Sequence, residues 1–313
     1  MMHYLQPACR ACGEVGLTAI AAAGAKPAAD RLLGAERPYQ RRFKHTVGLV
    51  LCPNCSLVQR VDTSAVSVAR ATVSPAVACD VDLAGRIIKS HHLTPRSLVL
   101  GVCGASAVEA ALLDVYRRAD IPVLAIAPPD VAVGRDSQVP TLRVRFSGAV
   151  AERLLACGQP ADVVHVPQLL ATAANLSEVV AGVWTMLAPG GIAVFDVPYL
   201  RHTLDSAQAA RDTTAHLNYF SLSALDRLLL ANRLHATGAE ILPGQGLLRV
   251  WAGRPRSVAQ SAKRIIADEQ AWGVDRVATY REWAQTVESL RSQSPIFAPG
   301  DLASPTSHAP SAV

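Results

Sequence analysis

Two CxxC pairs, Cys9-Arg10-Ala11-Cys12 and Cys52-Pro53-Asn54-Cys55, constrain the fold of this chain more than any other feature of its sequence. A CxxC turn presents two thiolates to one side of an ion, and two such turns complete a tetrahedron around Zn²⁺. Gly13 follows the first pair, and Pro53 and Asn54 sit inside the second; all three suit tight turns. Four thiolates leave no open coordination position, so the ion is expected to be structural. An iron–sulfur or redox role, or a chance grouping, are the competing readings of the same spacing. The chain has seven cysteines, four of them in CxxC pairs, which suits a reducing compartment and metal binding better than a disulfide framework. Cys79, Cys103 and Cys157 lie in apolar contexts and are expected to be buried small hydrophobes.

With 313 residues, half of them apolar and 18% charged, the chain can build two domains and a sizeable core. Its formal charge of +5 falls to about +3 once four thiolates bind a dication. The densest basic run is Arg41-Arg42-Phe43-Lys44, too short for the clustered basic face of a nucleic-acid binder. No nucleic-acid partner is therefore expected. The stretch 15–25 is apolar but mostly alanine and too short to span a bilayer. Residues 1–12 lack a basic start followed by an apolar run, so no secretory signal and no membrane partner are expected, and the location is read as cytoplasmic.

Residues 1–65 hold both CxxC pairs and read as one zinc-binding lobe, with 66–96 as a linker containing a helix at 78–91. From residue 97 short apolar runs alternate with amphipathic helices, the pattern of parallel βαβ units. The strand candidates are 98–102, 123–127, 142–144, 163–166 and 192–197; the helices between them are 107–118, 150–157 and 176–187. A helix at 222–234 starts behind the N-cap residue Ser221. Strands 236–242 and 247–252 then form a hairpin across Pro243-Gly244-Gln245-Gly246, which closes an α/β domain at 97–257. Residues 258–293 read as one or two helices anchored by Trp272, Tyr280 and Trp283, and the Pro-, Ser- and Ala-rich 294–313 as a disordered tail.

Several ordered motifs carry a resemblance. They are Cys9-Arg10-Ala11-Cys12-Gly13, Lys26-Pro27-Ala28-Ala29, Cys52-Pro53-Asn54-Cys55-Ser56-Leu57-Val58-Gln59, Phe195-Asp196-Val197-Pro198-Tyr199-Leu200, His216-Leu217-Asn218-Tyr219-Phe220-Ser221-Leu222 and Gly246-Leu247-Leu248-Arg249-Val250. From residue 9 to 297 the chain resembles the zinc-containing, S-adenosylmethionine-dependent deoxysugar C-methyltransferases of antibiotic biosynthesis, as a divergent member. The resemblance implies a class I methyltransferase-like Rossmann fold, a seven-stranded, mostly parallel sheet behind a small four-cysteine lobe. It implies structural Zn²⁺ on Cys9, Cys12, Cys52 and Cys55, and S-adenosylmethionine as cofactor. The substrate it implies is a small molecule, a sugar nucleotide or related intermediate, methylated at a carbon next to a carbonyl. The family usually continues into another α/β lobe beyond the point where this chain stops.

Residue by residue, the resemblance places Gly101 and Gly104 in the first glycine-rich loop, Ala127 after the second strand and Gln168 after the fourth. His216 matches the histidine that serves the family as base. The departures are equally specific. No acid accompanies Gly101 in Val99-Leu100-Gly101-Val102-Cys103-Gly104-Ala105, and Ala127 stands where the family has a ribose-binding glutamate. Asp130 is either a substitute for that glutamate or a surface residue. The positions before His216 hold Thr213, Thr214 and Ala215 instead of tyrosine, histidine and glutamate. His216 is therefore either a working base or a structural histidine. Three functions follow: a C-methyltransferase, a pseudo-methyltransferase scaffold for a partner biosynthetic enzyme, or the same fold used for a non-methylating reaction.

Overall fold

The computed structural model describes residues 7–27, 44–62, 81–102, 107–129, 138–205, 216–242, 244–254 and 259–293. Cys79, Cys103, Gly104, Asp130, Thr213, Thr214, Ala215 and the tail 294–313 lie outside the described residues.

Seven strands form the main sheet: β4 (Val99–Val102), β5 (Val123–Ala127), β6 (Thr141–Arg143), β7 (Ala161–Pro167), β8 (Leu187–Pro198), β10 (His235–Leu242) and β11 (Leu247–Gly253). Their order is β10-β11-β8-β7-β4-β5-β6, parallel from β8 through β6, with β11 antiparallel to both β8 and β10. This is the α/β class I methyltransferase-like Rossmann sheet that the resemblance implies. Parallel strands are covered on both faces, which is why β4 is an unbroken apolar run with all four residues buried. On one face, helices α1 (Val81–Ser90) and α2 (Ala107–Arg118) pack Leu83, Ile87, Leu113 and Tyr116 against Val99, Val163 and Val194. On the other, α3 (Gly148–Cys157), α5 (Leu176–Met186) and α7 (Leu222–Ala231) cover Leu100, Val164, Val166 and Phe195. Ser147, Asn175 and Ser221 cap α3, α5 and α7 by accepting from Val150 N, Glu178 N and Ala224 N.

A second, four-stranded antiparallel sheet, order β1-β2-β3-β9, holds the cysteine lobe. It comprises β1 (Thr18–Pro27), β2 (Lys44–Leu51), β3 (Val58–Asp62) and the two-residue β9 (Asn218–Tyr219). The alanine-rich 15–25 stretch thus supplies an edge strand. Alanine has weak strand propensity, and pairing with β2 decides the outcome. Short α4 (Leu169–Thr172) and α6 (Leu200–Asp205) follow β7 and β8, and α8 (Gln260–Trp272) and α9 (Val277–Gln293) end the described chain. The break between α8 and α9 falls at Gly273, with φ +91 and its N–H on Glu269 O. Trp272 and Tyr280 meet edge to face at 5.6 Å, Tyr280 is fully buried, and Trp283 Nε1 donates to Leu204 O at 2.8 Å, so the three aromatic anchors hold.

Two expectations are corrected. Cys157 is exposed: it is the last residue of α3, next to the C-cap Gly158, where no further turn covers it. The helix expected over 222–234 ends at Ala231: Arg233 enters the left-handed region at φ 65, and Leu234 N returns to Leu229 O.

The core also contains polar clasps. Glu269 of α8, 0% exposed, accepts from Leu222 N at 2.7 Å, Ser223 N at 2.8 Å and Ser223 Oγ at 2.6 Å. A carboxylate at the N-terminus of α7 complements the helix dipole and satisfies donors that would otherwise be orphaned. Arg249 of β11 makes a bidentate pair with Asp196 of β8, both contacts 2.8 Å. His165 of β7 shares a 2.9 Å hydrogen bond with Tyr116 OH of α2.

Burial first, and the Arg249 charge second, pull the His165 imidazole from 6.5 down to about 3. The folded protein binds this proton less tightly than the unfolded chain. The stability contributed is therefore full above about pH 6.5 and lost as pH falls toward 3. Between pH 7 and pH 5 this group should remove about 2 kcal/mol of unfolding free energy. Urea unfolding of the protein and of His165→Gln at both pH values checks this: the variant should lose that share of the pH dependence, and equal pH dependence would refute it.

Candidate functional site

The two CxxC turns are built alike. Gly13 N donates to Cys9 O and Ser56 N to Cys52 O, at 2.9 and 3.0 Å, and both residues after the pairs, Gly13 (φ 78) and Ser56 (φ 61), are left-handed. Glycine takes that conformation freely; Ser56 is held there with its Oγ accepting from Arg227 Nη1 at 3.0 Å. The four Sγ atoms lie within 4.8 Å of one another, with Cys9–Cys55 and Cys12–Cys52 at 3.5 Å. A tetrahedron with Zn–S near 2.3 Å has edges of about 3.8 Å, so the cluster fits Zn²⁺ with little adjustment. Burial pushes the Cys52 thiol up to about 11; the hydrogen bond that Cys55 donates to Cys9, reinforced by burial, pushes Cys55 up, and the same bond lowers Cys9 to about 5. Such thiols become thiolates together only around a dication. The knuckle is seated on the Rossmann domain by Ser177 Oγ donating to Ala11 O at 3.2 Å and Arg227 Nη1 donating to Asn54 O at 2.9 Å.

The second feature is the carboxyl edge of the main sheet. From β4 the chain winds outward through β5 and β6, then returns to place β7 on β4's other side. Ligands of doubly wound sheets bind at such a reversal, outside the carboxyl ends of the strands. The structure brings three of the expected residues to that edge. Gly101 lies in β4 beside Ala125 and His165, Ala127 ends β5, and Gln168 follows β7. Gln168 is left-handed at φ 51, and its N–H donates to Asp196 O at 2.7 Å, joining the ends of β7 and β8. Ala127 is 1% exposed and its methyl offers no acceptor for a ribose hydroxyl.

His216 reaches this edge through its neighbours. Leu217 N donates to Ala171 O at 2.8 Å, and Ala171 N in turn to Gln168 O at 3.1 Å. Asn218, 0% exposed, gives its Nδ2 to Leu170 O at 2.9 Å and Ala173 O at 2.8 Å. The His216 segment is thus fastened to the turn that follows β7. The imidazole is half-buried and meets the Tyr219 ring edge-on at 6.1 Å. Sequence reasoning missed the Asp196–Arg249 pair across β8 and β11, and the Tyr116–His165 pair, whose histidine is the neighbour of Gly101 in β7. The available signal was a charged or titratable residue inside each otherwise apolar strand, as in Phe195-Asp196-Val197. A separate cleft of ≈ 310 Å³ lies near the amino end of β8, lined by His91, Gly190, Gly191, Trp251 and Gly253. It is at the opposite end of the sheet from these residues.

No protein-family model matches the chain. Over 311 residues it is 27% identical to the C-methyltransferase NovU of Streptomyces niveus, covering 91% of this chain and 70% of that protein. By sequence, then, the chain is similar to a methyltransferase. Among solved structures it is similar to CalO1, a methyltransferase in calicheamicin biosynthesis, at 12% identity and TM-score 0.39, covering 56% of this chain and 54% of that one. It is likewise similar to the mitomycin 7-O-methyltransferase MmcR at 15% identity and TM-score 0.41, again covering 56% and 54%. The chain spans about half the length of these two structures, and the fold assignment stands on the strand order itself. No helix among the described residues is long and apolar enough to cross a membrane.

Metal analysis of the purified protein should return one Zn²⁺ per chain. Cys52→Ser should weaken zinc binding by more than the roughly 10- to 100-fold that loss of an outer-shell partner costs, and lower the unfolding temperature with it. A metal content well below one equivalent in the unaltered protein would refute the assignment.

Proposed function

We propose that this chain is an S-adenosylmethionine-dependent C-methyltransferase of natural-product biosynthesis that methylates a carbon next to a carbonyl. The supporting observation is the reversal between β4 and β7, which gathers Gly101, Ala127 and Gln168 on one edge, with the His216 segment fastened beside them. The 27% identity to a C-methyltransferase supports the same reading. The acceptor is a small molecule, a sugar nucleotide or related intermediate, and one structural Zn²⁺ sits on the four cysteines. Thiols reserved for a metal suit a cytoplasmic protein.

Gly101 keeps side-chain bulk away from the edge where the cofactor's methionine part would lie. Gln168 offers an amide beside it. When bound, S-adenosylmethionine would supply the methyl group as a sulfonium electrophile, the S–CH3 bond breaking as the substrate carbon takes the methyl and the neutral thioether departing. His216 takes up the proton from the substrate carbon beside the carbonyl, and the carbonyl holds the electron pair left behind. An imidazole suits this work at neutral pH. Much of the rate enhancement would come from positioning the two substrates.

The second reading is a pseudo-methyltransferase scaffold for a partner enzyme. It is favoured by Ala127, a buried methyl where the resembling family has an acid. His216→Ala separates the two. An enzyme should lose turnover by roughly 10²- to 10⁴-fold with cofactor affinity nearly unchanged. Unchanged product yield in cells carrying the variant would end the catalytic reading, and collapsed yield with folding intact would end the scaffold reading.

A further inference from the structure

We propose that Arg10, inside the first CxxC turn, is a positioning residue that couples the cysteine knuckle to the His216 segment. Its catalytic consequence rests on the methyltransferase reading; the coupling itself does not. Arg10 stands between Cys9 and Cys12, so the chelate turn fixes its backbone. Its N–H donates to Gln59 Oε1 at 2.9 Å, and Gln59 Nε2 donates back to Ala8 O at 3.2 Å. The guanidinium reaches out of the knuckle. Its Nη1 donates to Arg60 O at 2.9 Å and to Leu217 O at 3.3 Å.

Leu217 follows His216 directly, and its peptide group is held from two sides. Its carbonyl accepts from Arg60 N at 2.9 Å and from Arg10; its N–H donates to Ala171 O at 2.8 Å. Beyond it, Asn218 pairs with Gln59 and Tyr219 with Val58, so β3 of the knuckle lobe and β9 form one ladder. Two residues are too few for a stable strand of their own, so β9 depends on β3 and on the Arg10 clasp. Both bonds leave one nitrogen, Nη1, whose two N–H directions are fixed in the guanidinium plane, whereas those of an ammonium rotate. The knuckle therefore does more than stabilise its own lobe: through Arg10 it sets where the backbone carrying His216 lies relative to the β7 turn.

The test uses the zinc-loaded full chain with isotope-labelled histidine, the His216 signal being identified by its loss in His216→Ala. Arg10→Ala should keep one zinc per chain, because Arg10 is not a ligand. It should shift or broaden the His216 signal while leaving that of buried His165 in place. Turnover should fall roughly 10- to 100-fold, the effect of a small misplacement, with cofactor affinity unchanged. Arg10→Lys, which keeps the charge without the fixed donor plane, should recover part of both losses, and it carries the test if the alanine variant loses zinc or fails to fold. An unmoved His216 signal with zinc retained would overturn the coupling, whatever happens to turnover. A moved signal in a protein whose turnover does not depend on His216 would keep the coupling and remove the catalytic reading instead.

Discussion

Four sulfur atoms gathered within 4.8 Å, three of their cysteines buried, are the constraint on which the first lobe of this protein depends. Burial and the contact with Cys9 disfavour ionisation of Cys52 and Cys55, and a dication is the simplest way to hold four thiolates together. Once clustered, they fix two turns of the same design and set where β3 departs. The cluster is also part of the main core: Cys9, Cys52, Cys55 and Leu57 pack in the same apolar body as α5 and α7 residues such as Val180 and Leu225. The lobe is held by packing as well as by hydrogen bonds, so the cysteine cluster bears on the Rossmann domain too.

The second constraint is the order of the main sheet. A chain that winds outward from β4 and then returns to its other side leaves the ends of two neighbouring strands without a shared crossover, and a crevice results. Around it the structure places backbone-permissive or small residues, Gly101 and Ala127, and a left-handed Gln168. There too charge is paired across the ladder: Arg249 is only 3% exposed, and its bidentate partner Asp196 lies directly across from it. Glu269 plays the same part on the other side of the molecule, tying the C-terminal helices to the start of α7. Burial pushes its carboxyl up, while the backbone and hydroxyl donors around it favour the ionised form.

Most of the main sheet was legible in the sequence, because parallel strands must be apolar on both faces and so read as continuous runs. The expected 123–127 and 107–118 coincide with β5 and α2, and Ser221 caps α7 as its type suggests. The lobe's own sheet was not legible. β1 is an alanine run whose strand character comes from β2, and β9 is two residues whose partner lies in β3, far away in sequence. Nothing local encodes either pairing. Cys157 misled for a related reason, since an apolar context does not say whether a further turn covers a residue at a helix end. The four metal-ligand candidates were legible because their chemistry depends on spacing. The clasp from Arg10 to Leu217 was not, because its acceptor is a backbone carbonyl with no side-chain signature.

On the proposed reading, the carboxyl edge of the sheet holds S-adenosylmethionine although Ala127 offers no acid there. Loss of one charged acceptor for the ribose costs about 1.5–3 kcal/mol, or roughly 10- to 150-fold in affinity. Calorimetric titration of the zinc-loaded protein with S-adenosylmethionine should therefore show one site per chain, weak for this fold, with a dissociation constant in the micromolar range. No binding at millimolar cofactor would contradict the claim, and a submicromolar constant would show that another group supplies the acceptor Ala127 lacks.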